Sequence, residues 1–192
     1  MTNAFWGIVP SDTFLYKMEI ELTRLRIENW LHHDLFSFHW WLLLFILIIP
    51  WFIWWIYVDR RRLLELSLFG AIVLIISSFS DSILSELGLW SYTYELLPVW
   101  PRLITADFTI LPVTYMFLYQ YFRNWKHFIL AMIVMSAVFA FAGEPLLIWL
   151  KIYNLHNWKH IYSFPIYIAL GIFVRYIIEI LLLHQKGNRI GF

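Results

Sequence analysis

The chain has 192 residues, 61% of them hydrophobic and only 14% charged, with a mean hydropathy of +0.68. A soluble domain carries about 25% charged residues, so a surface this poor in charge cannot hold a compact globule in water and must face lipid. A net charge of +1 without a large basic patch excludes a nucleic-acid partner, and the absence of cysteine excludes disulfides and thiolate metal sites.

The N-terminus, MTNAFWGIVPSDTF, lacks a basic region followed by an apolar core and a small-residue cleavage site, so no removable signal peptide is expected. Residues 1–36 read as an extracytoplasmic segment containing a helix from Ser11 to His33, capped by Ser11 or Asp12. Leu15, Met18, Leu22 and Leu25 follow 3–4 spacing and form one stripe. The stripe suits an amphipathic helix lying on the outer membrane surface. It also suits a short coiled coil that joins copies into a homo-oligomer; two heptads are too few to choose.

A transmembrane domain, residues 37–185, follows. A bilayer core about 30 Å thick needs roughly 20 apolar residues in a helix. The first span is predicted from about Phe38 to Tyr57, with Trp40 and Trp41 at one end, Trp51, Trp54 and Trp55 at the other, and a kink at Pro50. Asp59-Arg60-Arg61-Arg62 ends it. The second span covers about Leu63 to Leu87, followed by a polar loop from Gly88 to Arg102. The third covers about Leu103 to Phe122, interrupted by Pro112, and the fourth about Phe128 to Leu150. The loop from Lys151 to Tyr162 leads to the fifth span, about Ile161 to Leu183, and residues 186–192 form a tail. The fold class is therefore all-α, a polytopic membrane protein with five transmembrane helices plus the N-terminal amphipathic helix.

Arg60, Arg61, Arg62, Arg123, Lys126, Lys186 and Arg189 fall in two loops and the tail. The other two loops hold only Arg102, Lys151 and Lys159. The basic set is expected in the cytoplasm, with the N-terminus outside and the C-terminus inside. Two hairpins, 63–122 and 126–185, also resemble each other: Glu86 then Trp90 and Tyr94 in one, Glu144 then Trp149 and Tyr153 in the other. A parallel repeat about an axis along the membrane normal is expected from them.

Ionisable residues inside a span mark function or a specific partner. Asp81, Glu86, Asp107 and Glu144 all lie near the outer ends of spans, in one layer. Ser78, Asp81, Ser82 and Ser85 make one polar helical face. Arg102 is the nearby cation. These residues predict a pocket formed by Asp81, Ser82, Glu86, Arg102, Asp107 and Glu144. It could bind or transport an ion or polar molecule. Alternatively, its carboxylates perform acid–base or metal-assisted chemistry on a lipidic or isoprenoid substrate, or only cap helices and assist assembly, as an acid in a first helical turn does.

No cofactor is evident. Asp81, Asp107 and Glu144, with His39, could hold Mg²⁺ or Ca²⁺. His156 and His160 read as interfacial side chains. Arg175 and Glu179, four apart in the fifth span, read as an intrahelical ion pair, or else as a gating pair. Trp90, Tyr92, Tyr94, Trp100, Trp149, Tyr153, Trp158 and Tyr162 crowd the outer face as belt residues. Some of them could wall a ligand site above the acids.

Several stretches resemble a family of small polytopic membrane proteins abundant in endospore-forming Bacillus-type and Clostridium-type bacteria. They are Trp54-Trp55 with Asp59-Arg60-Arg61-Arg62, Ser77 to Ser82 with Ser85 to Trp90, Pro101-Arg102 with Asp107, Tyr119 to Phe122, and Gly143 to Leu146 with Tyr162 to Pro165. The resemblance implies a bacterial cytoplasmic membrane location and a multi-pass topology. A weaker similarity, carried by Gly88-Leu89-Trp90-Ser91-Tyr92 and Pro98, is to lycopene cyclase domains, whose Pro-x-Glu-Glu signature has no counterpart here.

Overall fold

The computed structural model describes residues 11–99 and 104–189. Arg102 of the predicted pocket, Trp100, and the last three residues of the predicted tail lie outside the described residues. Six helices follow in order: α1 (12–34), α2 (Phe38–Tyr57), α3 (Arg60–Glu86), α4 (104–121), α5 (Trp125–Trp149) and α6 (His160–Arg189). Two short strands, β1 (Trp90–Tyr92) and β2 (Tyr153–Leu155), interrupt what is otherwise helix and loop.

Four of the helices, α2, α3, α5 and α6, are long and apolar enough to cross a membrane. The shortest of these, α2, has 20 residues and so spans about 30 Å. Helix α4, the third predicted span, is not among the four; Asp107, Thr109, Thr114 and Gln120 dilute its apolar character.

Side chains set the helix starts. Ser11 accepts the Phe14 N–H at 3.3 Å, Ser37 the Trp40 N–H at 3.2 Å, and Asn124 the Lys126 N–H at 2.9 Å. Asp59 accepts the Arg61 N–H at 3.0 Å where α3 begins.

The core lies between α3, α4, α5 and α6, around Phe69, Tyr115, Tyr119, Phe128, Met132, Val174 and Ile178. Phe69 and Tyr119 stack with centroids 4.4 Å apart. Outside it, Phe45, Ile49, Phe52 and Ile56 on α2, Phe79 and Ile83 on α3, and Val134 and Val138 on α5 are exposed. An apolar exterior of this extent requires an apolar surrounding.

The N-terminal helix departs from the expected stripe. None of residues 12–29 is buried. Phe14, Tyr16, Ile20 and Ile27 are exposed alongside Leu15, Met18, Leu22 and Leu25, so apolar side chains stand on more than one face. Its last turn anchors it: the Trp30 indole donates to Glu95 O and Leu96 O, and Asp34 accepts the Glu95 N–H at 3.1 Å.

Two prolines shape the acidic layer. Proline has no N–H and its ring collides with the preceding turn, so a helix around it loosens. A π-turn, Ala106–Ile110, precedes Pro112, and another, Phe139–Gly143, precedes Pro145. The Trp51 indole of α2 donates to Phe108 O at 3.1 Å, serving the carbonyl that Pro112 cannot. Asp107 lies within the first π-turn and Glu144 directly after the second.

The loops predicted after α3 and α5 pair as an antiparallel ribbon: Trp90 opposite Leu155, Ser91 opposite Asn154, Tyr92 opposite Tyr153. Beyond the strands, the Thr93 N–H donates to Ile152 O and the His156 N–H to Leu89 O, each at 3.0 Å. Each strand follows a left-handed residue, Gly88 (φ 73°) or Lys151 (φ 57°). Each of these helix ends closes with a Schellman bond, Leu89 N–H to Leu84 O at 3.2 Å and Ile152 N–H to Leu147 O at 2.9 Å. Exchanging the two strands maps this set of bonds onto itself. Asp81 stands as far before Gly88 as Glu144 stands before Lys151, so the caps match Asp81 with Glu144 and Trp90 with Tyr153. The sequence alignment of the hairpins had matched Glu86 with Glu144.

At the opposite end, Arg175 is 3% exposed. Its guanidinium donates to Glu179 at 2.9 Å and to Phe122 O at 3.0 Å, and also reaches Arg123 O. The rings of Trp125 and Phe128 cover it at 4.4 and 4.7 Å.

Candidate functional site

A cavity of about 170 Å³ lies at the ribbon end, lined by α3, α4, α5, α6 and both strands. Leu84, Leu111, Leu147, Ile166 and Leu170 make most of its wall apolar. Trp90, Tyr92, Tyr153, Trp158 and Tyr167 contribute rings, and Asp81, Asp107 and Glu144 are the acids among its lining residues.

Each acid has a different setting. Asp81 Oδ1 accepts the Trp90 indole N–H at 2.9 Å and the Tyr92 hydroxyl at 2.5 Å. Glu144 Oε2 lies 2.6 Å from His160 Nδ1, and its Oε1 accepts the Tyr167 hydroxyl at 3.0 Å. Asp107 is 5% exposed, and its Oδ2 is buried with no hydrogen-bond partner among the described residues. Asp81 and Asp107 both line the cavity.

Burial pushes the Tyr92 hydroxyl well above the usual tyrosine range, and the Asp81 carboxylate beside it adds to the shift. Burial raises the Tyr153 hydroxyl as well, with smaller contributions from Glu144 and Asp81. Both ribbon tyrosines therefore remain neutral O–H donors facing an acidic cavity.

Of the residues predicted from sequence, Asp81, Asp107 and Glu144 meet at the cavity. Glu86, the last residue of α3, is exposed and is not in the cavity wall. Ser82 donates to Ser78 O of its own helix at 2.7 Å and also lies outside the wall. The row of α3 that faces the cavity is Ser77, Ser80, Asp81 and Leu84, rotated from the expected row of Ser78, Asp81, Ser82 and Ser85. His39 stacks on Tyr94 at 3.9 Å and is not in the cavity wall. Among the described residues no three His, Asp or Glu side chains are grouped to hold a metal ion.

Reading the sequence missed His160 and Tyr167. His160 reads as a loop residue until α6 is known to begin there, and Tyr167 lies within an apolar span without any polar periodicity around it. Comparison with family models, characterised proteins and solved structures finds no match for this chain.

Proposed function

We propose that this is a multi-pass membrane protein that binds a positively charged small ligand in the cavity under the ribbon. Asp107 carries this reading. A buried carboxylate oxygen without a donor is costly to desolvate, and a cation entering the cavity removes that cost. Asp81 and Glu144 make the same space more negative still.

Helices α2 to α6 are the five spans of this reading. The ribbon and cavity face outwards, because Arg60, Arg61, Arg62 and Arg123 gather at the opposite end, where the positive-inside rule puts the cytoplasm.

The absence of cysteine makes a direct test available. Ser80 is an exposed member of the cavity wall. In Ser80→Cys, a trimethylammonium methanethiosulfonate added to intact cells should react roughly tenfold or more faster than the sulfonate-bearing reagent, because an acidic cleft concentrates cations. Equal rates, or a faster sulfonate, would remove the cation reading. Labelling only after the membrane is opened would reverse the orientation.

A further inference from the structure

We infer that the ligand is an organic ammonium, an amine carrying a short apolar or aromatic body, and not a metal or alkali ion; this rests on the cation-binding reading above. The donor set argues for it. Calcium takes six to eight oxygens, and magnesium takes six in a strict octahedron. Potassium-type sites are built from rings of carbonyls. Here Glu144 is engaged by His160 and Tyr167, and Oδ1 of Asp81 by Trp90 and Tyr92. Asp107 Oδ2 is a buried acceptor left open among the described residues. A metal ion stripped of water at this point would face leucine and isoleucine on most sides.

An ammonium group asks for less. One of its N–H bonds can go to Asp107, and its charge is stabilised over aromatic faces within about 6 Å. Trp90, Tyr92, Tyr153 and Trp158 line the ribbon side of the cavity. Leu84, Leu147 and Leu170 then receive the apolar body. The volume of about 170 Å³ is close to that of a cavity that takes up one benzene ring, about 150 Å³, so the apolar body is about the size of one ring.

The test uses the full chain purified in detergent, with isothermal calorimetry and thermal unfolding as readouts. The probes are 2-phenylethylammonium chloride, its neutral isostere 2-phenylethanol, sodium chloride and calcium chloride. The ammonium should bind saturably and raise the unfolding temperature. The alcohol should bind roughly ten- to a hundredfold more weakly, as expected for loss of a charge-assisted hydrogen bond. Asp107→Asn should bring the ammonium down to the alcohol's affinity. Should Asp107→Asn fail to fold, the comparison of ammonium with alcohol on the unaltered chain decides. Saturable stabilisation by sodium or calcium, with the ammonium inert, would overturn the amine assignment and leave the cation reading standing. Equal binding of ammonium and alcohol, or binding of none of the four, would overturn both.

Discussion

Arg175 shows how one residue can hold a charge inside an apolar bundle. Its guanidinium is matched to a carboxylate, two carbonyls and two aromatic faces. The carbonyls belong to the turn that ends α4, so Arg175 ties α6 to the α4–α5 connection. Arg175→Ala should cost about 3–5 kcal/mol, the range for breaking a buried ion pair from one side. Glu179→Gln should cost less, because the Glu179 side chain is 36% exposed and still has an oxygen for the Trp125 indole. Reversible unfolding of the two variants in detergent would check the order. The i,i+4 spacing made the Arg175–Glu179 pair readable in advance. The bonds to Phe122 and Arg123 were not readable, because they join residues more than fifty positions apart. Asp107 stood out in the sequence as an acid within a span, yet nothing there distinguished it from Glu86, which the end of α3 leaves exposed.

At the scale of elements, the two helix stops before the ribbon provide a matched comparison. Gly88 occupies a left-handed conformation at no steric cost, whereas Lys151 adopts it with a side chain. A left-handed non-glycine residue costs roughly 1–2 kcal/mol. Lys151→Gly should therefore stabilise the chain by about 1 kcal/mol, and Gly88→Ala should destabilise it by a similar amount. Opposite shifts in unfolding temperature would confirm the cap geometry; shifts of the same sign would contradict it. Four of the five expected spans were legible because long apolar runs admit little besides helix, and α2 ends within the predicted limits at Phe38 and Tyr57. The ribbon was not. Each strand is three residues long, too short for a period-two signal, and its partner lies across the chain. The π-turns were hidden too: Pro112 and Pro145 were visible, but not how each helix accommodates them.

At the scale of the whole molecule, the two hairpins α3–α4 and α5–α6 meet at the ribbon above and pack through the aromatic core below. A chain divided between Arg123 and Asn124, in an exposed turn, leaves one hairpin on each fragment. The fragments 1–123 and 124–192, expressed together, should purify as a one-to-one complex, because the buried contacts between them remain available. Recovery of each fragment alone would show that the connection, and not the packing, holds the hairpins together.

The ribbon also carries a local two-fold. A half-turn that exchanges its strands leaves the bonds and both caps unchanged. Asp81 and Glu144 stand at equivalent places under that half-turn. The equivalence is one of position and not of chemistry, because Glu144 meets a histidine while Asp81 meets an indole and a phenol. A ligand under the ribbon therefore meets two different walls across one axis.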